Sequence, residues 1–232
     1  MKTKFVLFLF LACSLHLFAE KGLVFSDSAS SGYRINSVFG KSNSEDKISW
    51  GFFVEFNTAY TQFSHNNVFL PGLSVGLIVN HHWAVGLTAM FIGNPHGLHY
   101  HNIYYDSTAK KMRGADLRGG YGGALLEYTL FPKSRLHVSF PLIIGGGYMY
   151  YVPTRYNNAS GSLPPKYYRD IISRDNFFVI EPGVRMEVNI ASIFRIGLGL
   201  SYRYSPDFKL LNTPTDLINQ FTARLSLRLG KF

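Results

Sequence analysis

From Trp50 onward, large apolar and aromatic side chains recur at every second position. The clearest stretch is FRIGLGLSYRY, in which Phe194, Ile196, Leu198, Leu200, Tyr202 and Tyr204 alternate with Arg195, Gly197, Gly199, Ser201 and Arg203. A period of two puts successive side chains on opposite faces, so each such stretch predicts a strand with two chemically unlike faces. About eight segments follow the pattern: 50–63, 72–80, 83–92, 121–131, 135–151, 177–189, 193–204 and 220–230. Most reach the roughly 9–11 residues that a tilted strand needs to cross a bilayer. The connections at 81–82, 132–134 and 190–192 are short, and those at 64–71, 93–120, 152–176 and 205–219 are longer.

The two faces decide which medium each one meets. One carries Trp50, Phe52, Val54, Phe56, Leu73, Val75, Leu77, Trp83, Val85, Leu87, Leu136, Val138, Phe140, Leu142, Ile144, Ile196, Leu198 and Leu200, and no charge. The other carries Glu55, Glu127, Glu181, Glu187, Arg185, Arg195, Arg203, Arg224 and Arg228, with many glycines between them. A water-facing strand surface would carry Lys, Thr and Glu in place of glycine, which weakens strands and packs nothing. The interior of an eight-stranded barrel is only just wide enough for side chains to fill, and the Trp, Phe and Leu face would overfill it. The large face is therefore expected to meet lipid, with glycines and a network of ion pairs in the lumen. Trp50, Trp83, Tyr128 and Phe194 fall toward the short turns, and Tyr60, Phe91, Tyr148, Tyr150, Tyr202 and Tyr204 toward the long loops, in the manner of two interfacial girdles.

On this pattern, and on endings such as LSLRLGKF, the chain over roughly 50–232 resembles the small eight-stranded outer-membrane barrels of Gram-negative bacteria, the OmpA-like and OmpX-like superfamily. The fold class expected is all-β, a single antiparallel up-and-down transmembrane β-barrel with short periplasmic turns and long extracellular loops. The resemblance implies insertion by the barrel assembly machinery through the C-terminal Phe232. That residue is out of phase with Leu225, Leu227 and Leu229, so either the signal is imperfect or a bulge near Gly230 restores the phase. Bulges are also expected at Pro141 and Pro182, which cannot donate to a ladder without a free edge.

Composition suits one all-β domain: 47% of the 232 residues are hydrophobic, 16% aromatic and 16% charged. The start, MKTKFVLFLFLACSLHLFAEKG, has Lys2 and Lys4, an apolar run and Ala19, and reads as a signal peptide over 1–19. Cys13, the single cysteine, lies within it, so no disulfide is expected, although a lipoprotein reading at Cys13 stays open. Residues 20–49 hold no sustained period and are expected to be a flexible leader. Loss of Lys2 and Lys4 lowers the formal net charge from +9 to +7.

Candidate chemistry is sparse. His137 and Ser139 form an H-x-S pair similar to that of lipid A deacylases, but they lie beside the PKS turn and point into the lumen. His96, His99 and His101 in NPHGLHYHN have spacing that suits a metal, without a nearby carboxylate or cysteine, and are expected to be loop histidines. GGYGG at 119–123 precedes no helix that could hold a phosphate, and is expected to relax a strand entrance. Both long loops are net basic: Lys110, Lys111, Arg113 and Arg118 outnumber Asp106 and Asp116, and Arg155, Lys166, Arg169 and Arg174 outnumber Asp170 and Asp175. Salt-sensitive contact with outer-membrane lipid and lipopolysaccharide is the partner expected, with no nucleic acid, cofactor or metal, in a monomer. Three function classes remain: a non-catalytic envelope protein with a closed polar lumen, acting in envelope integrity or surface binding through its loops; a narrow pore or transporter for small solutes; and an outer-membrane lipid-modifying enzyme.

Overall fold

The computed structural model describes residues 49–94, 97–107, 110–154, 171–206 and 208–232. The signal peptide and the leader up to residue 48 lie outside the described residues. Nine strands follow in order: β1 (Trp50–Phe63), β2 (Asn66–Val79), β3 (Trp83–Phe91), β4 (Leu98–Asp106), β5 (Lys111–Leu130), β6 (Leu136–Pro153), β7 (Ser173–Ala191), β8 (Phe194–Tyr202) and β9 (Phe221–Lys231). All pairings are antiparallel. Eight strands close into a ring, because β9 pairs with β1 and the lower half of β5 pairs with β3. The extra strand β4 stands above the ring on the upper half of β5, at Lys111–Leu117.

Several details differ from the sequence pattern. The connection expected at 64–71 shrinks to Ser64 and His65, since β2 begins at Asn66 and pairs with β1 from the hairpin onward. Ser64 has φ 56°, which lets the chain reverse within two residues. GGYGG is no strand entrance; it lies in mid-strand, where β5 changes partner from β4 to β3. At Gly119, φ is +139° and a Cβ would lie 2.1 Å from the Tyr148 carbonyl oxygen, so only glycine fits there.

Neither proline makes a bulge. Ser139↔Arg185 and Leu142↔Pro182 share one register, and the two rungs between them are skipped, leaving no bonded partner required for Pro141 on that side. Pro182 likewise faces a gap between Gly183↔Ser201 and the Ile180↔Tyr204 bridge, again with the register kept. A skipped rung avoids the missing donor without displacing any side chain from its face. The register shifts lie elsewhere, at Tyr100/Tyr104 and at Asn189/Ala191. No bulge restores Phe232: β1 and β9 stay in register to Lys231, and the Phe232 ring is buried inside the barrel.

Along β1, Phe53, Glu55, Asn57, Ala59, Thr61 and Phe63 are buried while Phe52, Phe56 and Tyr60 are exposed. Leu87 and Leu198 of the outer wall are 65% and 66% exposed, whereas Arg203 and Arg228 inside are 0% and 1%. Hydrophobic burial cannot account for such an arrangement in water, but a bilayer around the ring removes the apolar wall from water, and closure of the ring leaves no free strand edge in it. Trp83 and Phe91 on β3 are eight residues apart, about 26 Å along the strand and about 20 Å along the axis at a tilt of ~40°. The two girdles therefore bracket an apolar band about 20 Å tall, close to but somewhat short of the ~25 Å typical of transmembrane barrels.

The lipid face can be checked at one position. Leu198→Arg should destabilise the barrel in lipid vesicles by about 2–4 kcal/mol, measured by reversible urea unfolding. A water-exposed site would change by less than about 0.5 kcal/mol.

Candidate functional site

The lumen is built in layers by the inward positions of the eight ring strands. At the bottom, Phe53, Ile78, Ala84, Leu125, Ile143 and Phe232 form an apolar cluster. The Arg195 guanidinium lies 3.6 Å from the centre of the Phe232 ring, so the terminal aromatic is held by a cation instead of facing lipid.

Next comes the larger of two charge clusters. Arg185 of β7 donates from Nη1 to both Glu55 oxygens, at 2.9 and 3.0 Å, and from Nη2 to Glu127. Arg228 of β9 donates from Nε to Glu55 at 2.5 Å and from Nη1 and Nη2 to Glu127 at 2.7 and 3.0 Å. Glu187 joins through Arg185 at 2.8 Å and Arg195 at 3.8 Å, and meets His137 Nε2 at 2.9 Å. Three carboxylates thus face three guanidiniums. Arg195 and Arg228 are direct cross-strand neighbours of like charge, and the shared Glu187 lies between them.

Glu181 holds a second, separate cluster. Arg203 Nε donates to it at 3.1 Å, Arg224 Nη2 at 2.5 Å, Ser201 at 2.6 Å and the Tyr121 hydroxyl at 2.6 Å. Arg203 also donates to Tyr121 and Thr222. Here one carboxylate serves two guanidiniums, and the two tyrosine and serine hydroxyls complete its lone pairs. The nine charged lumen residues therefore form two groups. Between them a hollow of only about 10 Å³ touches Glu181, Arg185 and Arg224. That is room for about one water.

An apolar lid closes the upper end. Phe63, Leu70, Met90, Leu117, Met149 and Tyr151 of the strands pack with Phe208, Leu210, Leu217 and Ile218 from the β8–β9 connection. Phe177 and Phe208 meet edge to face at 5.4 Å. The lumen glycines make room for this filling: a Cβ at Gly197 would lie 2.6 Å from Ser226 Oγ and 3.0 Å from Arg185 Cδ, and one at Gly147 would enter the Phe177 ring.

The candidate nucleophile pairs lack catalytic geometry. Ser139 Oγ accepts from Arg185 Nε at 3.3 Å, His137 is bound to Glu187, and all are buried without an approach for substrate. On the upper rim, Thr154 Oγ1 lies 2.8 Å from His99 Nδ1 and 2.9 Å from Asp116, while His99 Nδ1 also contacts Asp116 at 3.0 Å. One ring nitrogen serves both partners, whereas a proton relay needs one nitrogen for each. His99 and His101 meet edge to face at 4.6 Å, and His96 lies outside the described residues. Among the described residues no three metal-ligating side chains cluster.

Of the basic residues expected in loops, only Lys110 lies in a turn; Lys111, Arg113 and Arg118 stand in β5 and Arg174 in β7, because these two strands run on above the ring, and Arg155, Lys166 and Arg169 lie outside the described residues. Arg113 pairs with Asp106 at 2.6 Å. The Lys209 backbone N–H donates to Asp175 at 2.5 Å, tying the lid connection to β7. Tyr121, Thr222 and Phe208 carry no motif that marks them as partners of the charges or the lid; the inward phase of Tyr121 and Thr222 on their strands is the signal that places those two in the lumen.

Two titrating groups stand outside the wall. Burial, then the charges of Lys133, Arg195 and His82, push His81 below its ordinary value in the β2–β3 turn, where its Nε2 lies 3.2 Å from Ser49 Oγ. Burial pushes Tyr100, in β4, up to about 12. Its hydroxyl donates to the Phe63 carbonyl at 3.1 Å.

No family model matches this chain. No curated protein matches it either. Among solved structures it is similar to Neisserial surface protein A, at 14% identity and TM-score 0.47 over 81% of this chain and all of that one. It is also similar to Ail, the attachment invasion locus protein of Yersinia pestis, solved with the heparin analogue sucrose octasulfate, at 11% identity and TM-score 0.41 over 78% of this chain and 95% of that one. A third likeness is to the outer-membrane protein AlkL, at 11% identity and TM-score 0.35 over 87% and 96%. At such values none of the three bears on what this chain does. The class of protein, a closed eight-stranded transmembrane barrel with a filled lumen, stands on its own ring pairing, its burial pattern and its charge clusters.

Removing one carboxylate leaves guanidiniums buried without a partner. Glu55→Ala and Glu127→Ala should each lower stability by about 3–5 kcal/mol in urea unfolding from vesicles, and by less where water enters. Unchanged midpoints would mean that these groups are solvated. His81 should titrate below about 6.5 by proton NMR, and Lys133→Gln should move its midpoint upward. Because the folded state binds this proton less tightly than the unfolded chain, its contribution to stability is present above about pH 6.5 and is lost as pH falls through the folded midpoint.

Proposed function

We propose that the chain is a non-catalytic integral protein of a Gram-negative outer membrane, acting in envelope integrity or surface binding through a basic extracellular rim. The observation that carries this reading is the lumen, filled from end to end by an apolar floor, two ion-pair clusters and an apolar lid. A solute path needs continuous water, and the layers leave no space for it. The short turns at 80–82, 131–135 and 192–193 face the periplasm. The upper rim, with Lys110, Lys111, Arg113, Arg118 and Arg174, faces outward to an anionic surface. Charges on this rim attract lipopolysaccharide or acidic polysaccharide and lose that attraction as salt screens them.

Purified protein in a planar bilayer should show no steady, porin-sized conductance, and its binding to lipopolysaccharide should weaken between low and high salt. Sustained conductance would favour the pore reading. Salt-independent binding would remove the electrostatic one.

A further inference from the structure

We propose that the outer wall of β5 is a seat for one acyl chain of a phosphorylated outer-leaflet glycolipid, with Arg118 and Arg174 holding its phosphate above. The inference rests on the outer-membrane reading and assigns it a site on the barrel wall, apart from the loop tips.

The register fixes the rows of this wall. At one level Ala89, Gly122 and Gly146 are cross-strand neighbours on β3, β5 and β6; one level above lie Phe91, Gly120 and Tyr148, and one below lie Leu87, Ala124 and Ile144. Most of the remaining wall is large and apolar, so Gly120, Gly122 and Ala124 form a furrow along β5, with Phe91 and Tyr148 beside its upper end, Leu87 and Ile144 beside its lower end and the small Ala89 and Gly146 at its middle. An open hollow of about 830 Å³ lies over the upper part of this furrow, against Ala89, Phe91, Gly120, Gly122, Gly146 and Tyr148. Its banks belong to strands roughly 10 Å apart, and Gly120 to Ala124 spans about 13 Å of strand. Those dimensions suit a single extended hydrocarbon chain.

Close backbone approach explains part of the glycine content but not all of it. A Cβ on Gly120 would lie 2.3 Å from the Met90 carbonyl oxygen, and one on Gly122 2.5 Å from that of Thr88. At Gly146 the nearest atom is the Phe177 carbonyl oxygen at a looser 3.1 Å, and the neighbouring wall positions Ala89 and Ala124 are also small. The missing side-chain volume is therefore wider than the sheet geometry requires.

The head of the furrow is cationic. In the next row up, Arg118, Tyr150 and Arg174 are cross-strand neighbours on β5, β6 and β7. The Tyr148 and Tyr150 rings lie 5.4 Å apart and mark the interfacial level. Arg118 Nε is buried without a hydrogen-bond partner, and neither arginine makes an ion pair among the described residues. A guanidinium with an unpaired Nε at the top of a one-chain furrow fits a lipid whose anionic group sits directly above its chains.

The test uses the full barrel, refolded in detergent and titrated with bisphosphorylated lipid A, its dephosphorylated counterpart and phosphatidylglycerol, with binding read by native mass spectrometry. The wild type should retain bisphosphorylated lipid A in preference to the other two. Arg118→Gln with Arg174→Gln should weaken that binding roughly tenfold or more, the loss expected from charge-assisted hydrogen bonds. Ala89→Leu, in the hollow, or Ala124→Leu, directly below it, should weaken it by a similar factor while the heat-modifiable migration of the folded barrel stays unchanged. Should Ala89→Leu fail to fold, Ala124→Leu on the exposed wall carries this arm. Lys110→Gln with Lys111→Gln, at the loop tip, should weaken lipid A binding in detergent by a smaller factor than the arginine pair does. Loss confined to the loop variant would overturn the furrow and keep the rim reading; equal retention of phosphatidylglycerol, or full binding by the filled variants, would also overturn it.

Discussion

The rest of the structure depends on the need for each lumen charge to find its counter-ion across the barrel. Glu55 and Glu127 stand on β1 and β5, and both are gripped by Arg185 of β7 and Arg228 of β9, residues up to 173 positions away in the chain. A slip of one residue in any of these strands would turn its charge into lipid and its leucines into the lumen. Hydrocarbon outside and obligatory pairing inside thus specify the same register from two sides. The strands can then tolerate skipped rungs at Pro141 and Pro182 without losing alignment.

That constraint also governs volume. An eight-stranded ring leaves little more than side-chain space, and two large guanidiniums at one level use most of it. Glycine answers at the facing positions, as Gly197 does beside Arg185 and Ser226. Above and below, where no charge must be matched, ordinary apolar packing resumes, and it excludes the water that would otherwise screen the ion pairs. The lids are thereby part of the electrostatics: they keep the clusters dry, so their geometry matters more than that of surface pairs.

What was legible in the sequence followed from period and sign. Alternation marked β1 with its observed bounds and put all nine lumen charges on one face, because a lipid-facing wall leaves no other place for them. It missed β4, whose LHYHNIYYD run mixes polar residues on both faces since neither face is in lipid. It missed the start of β2 because Asn66, Asn67 and Pro71 are turn-forming types held in a strand by tertiary pairing with β1. The upper lid was illegible for a different reason. Phe208, Leu210, Leu217 and Ile218 lie between Pro206, Pro214 and turns, and only the ring beneath gives them a common surface. Nor can periodicity assign partners: it puts Glu181 inside, but not with Arg203, Arg224 and Tyr121 while its three fellow glutamates meet elsewhere.

A filled lumen moves the question of function to the outer surfaces. Solute passage would require breaking at least one ion-pair layer and one apolar lid, each stabilised by the other, and the same layers hold the wall in a fixed shape. A rigid wall can present side chains at defined spacings, which a flexible loop cannot. The row Arg118, Tyr150 and Arg174 keeps its spacing because three strands hydrogen-bond beneath it, and those strands keep their register because Tyr121, Glu181 and Arg203 are locked on the other face. The chemistry offered to the membrane is in this way set by the chemistry hidden from it.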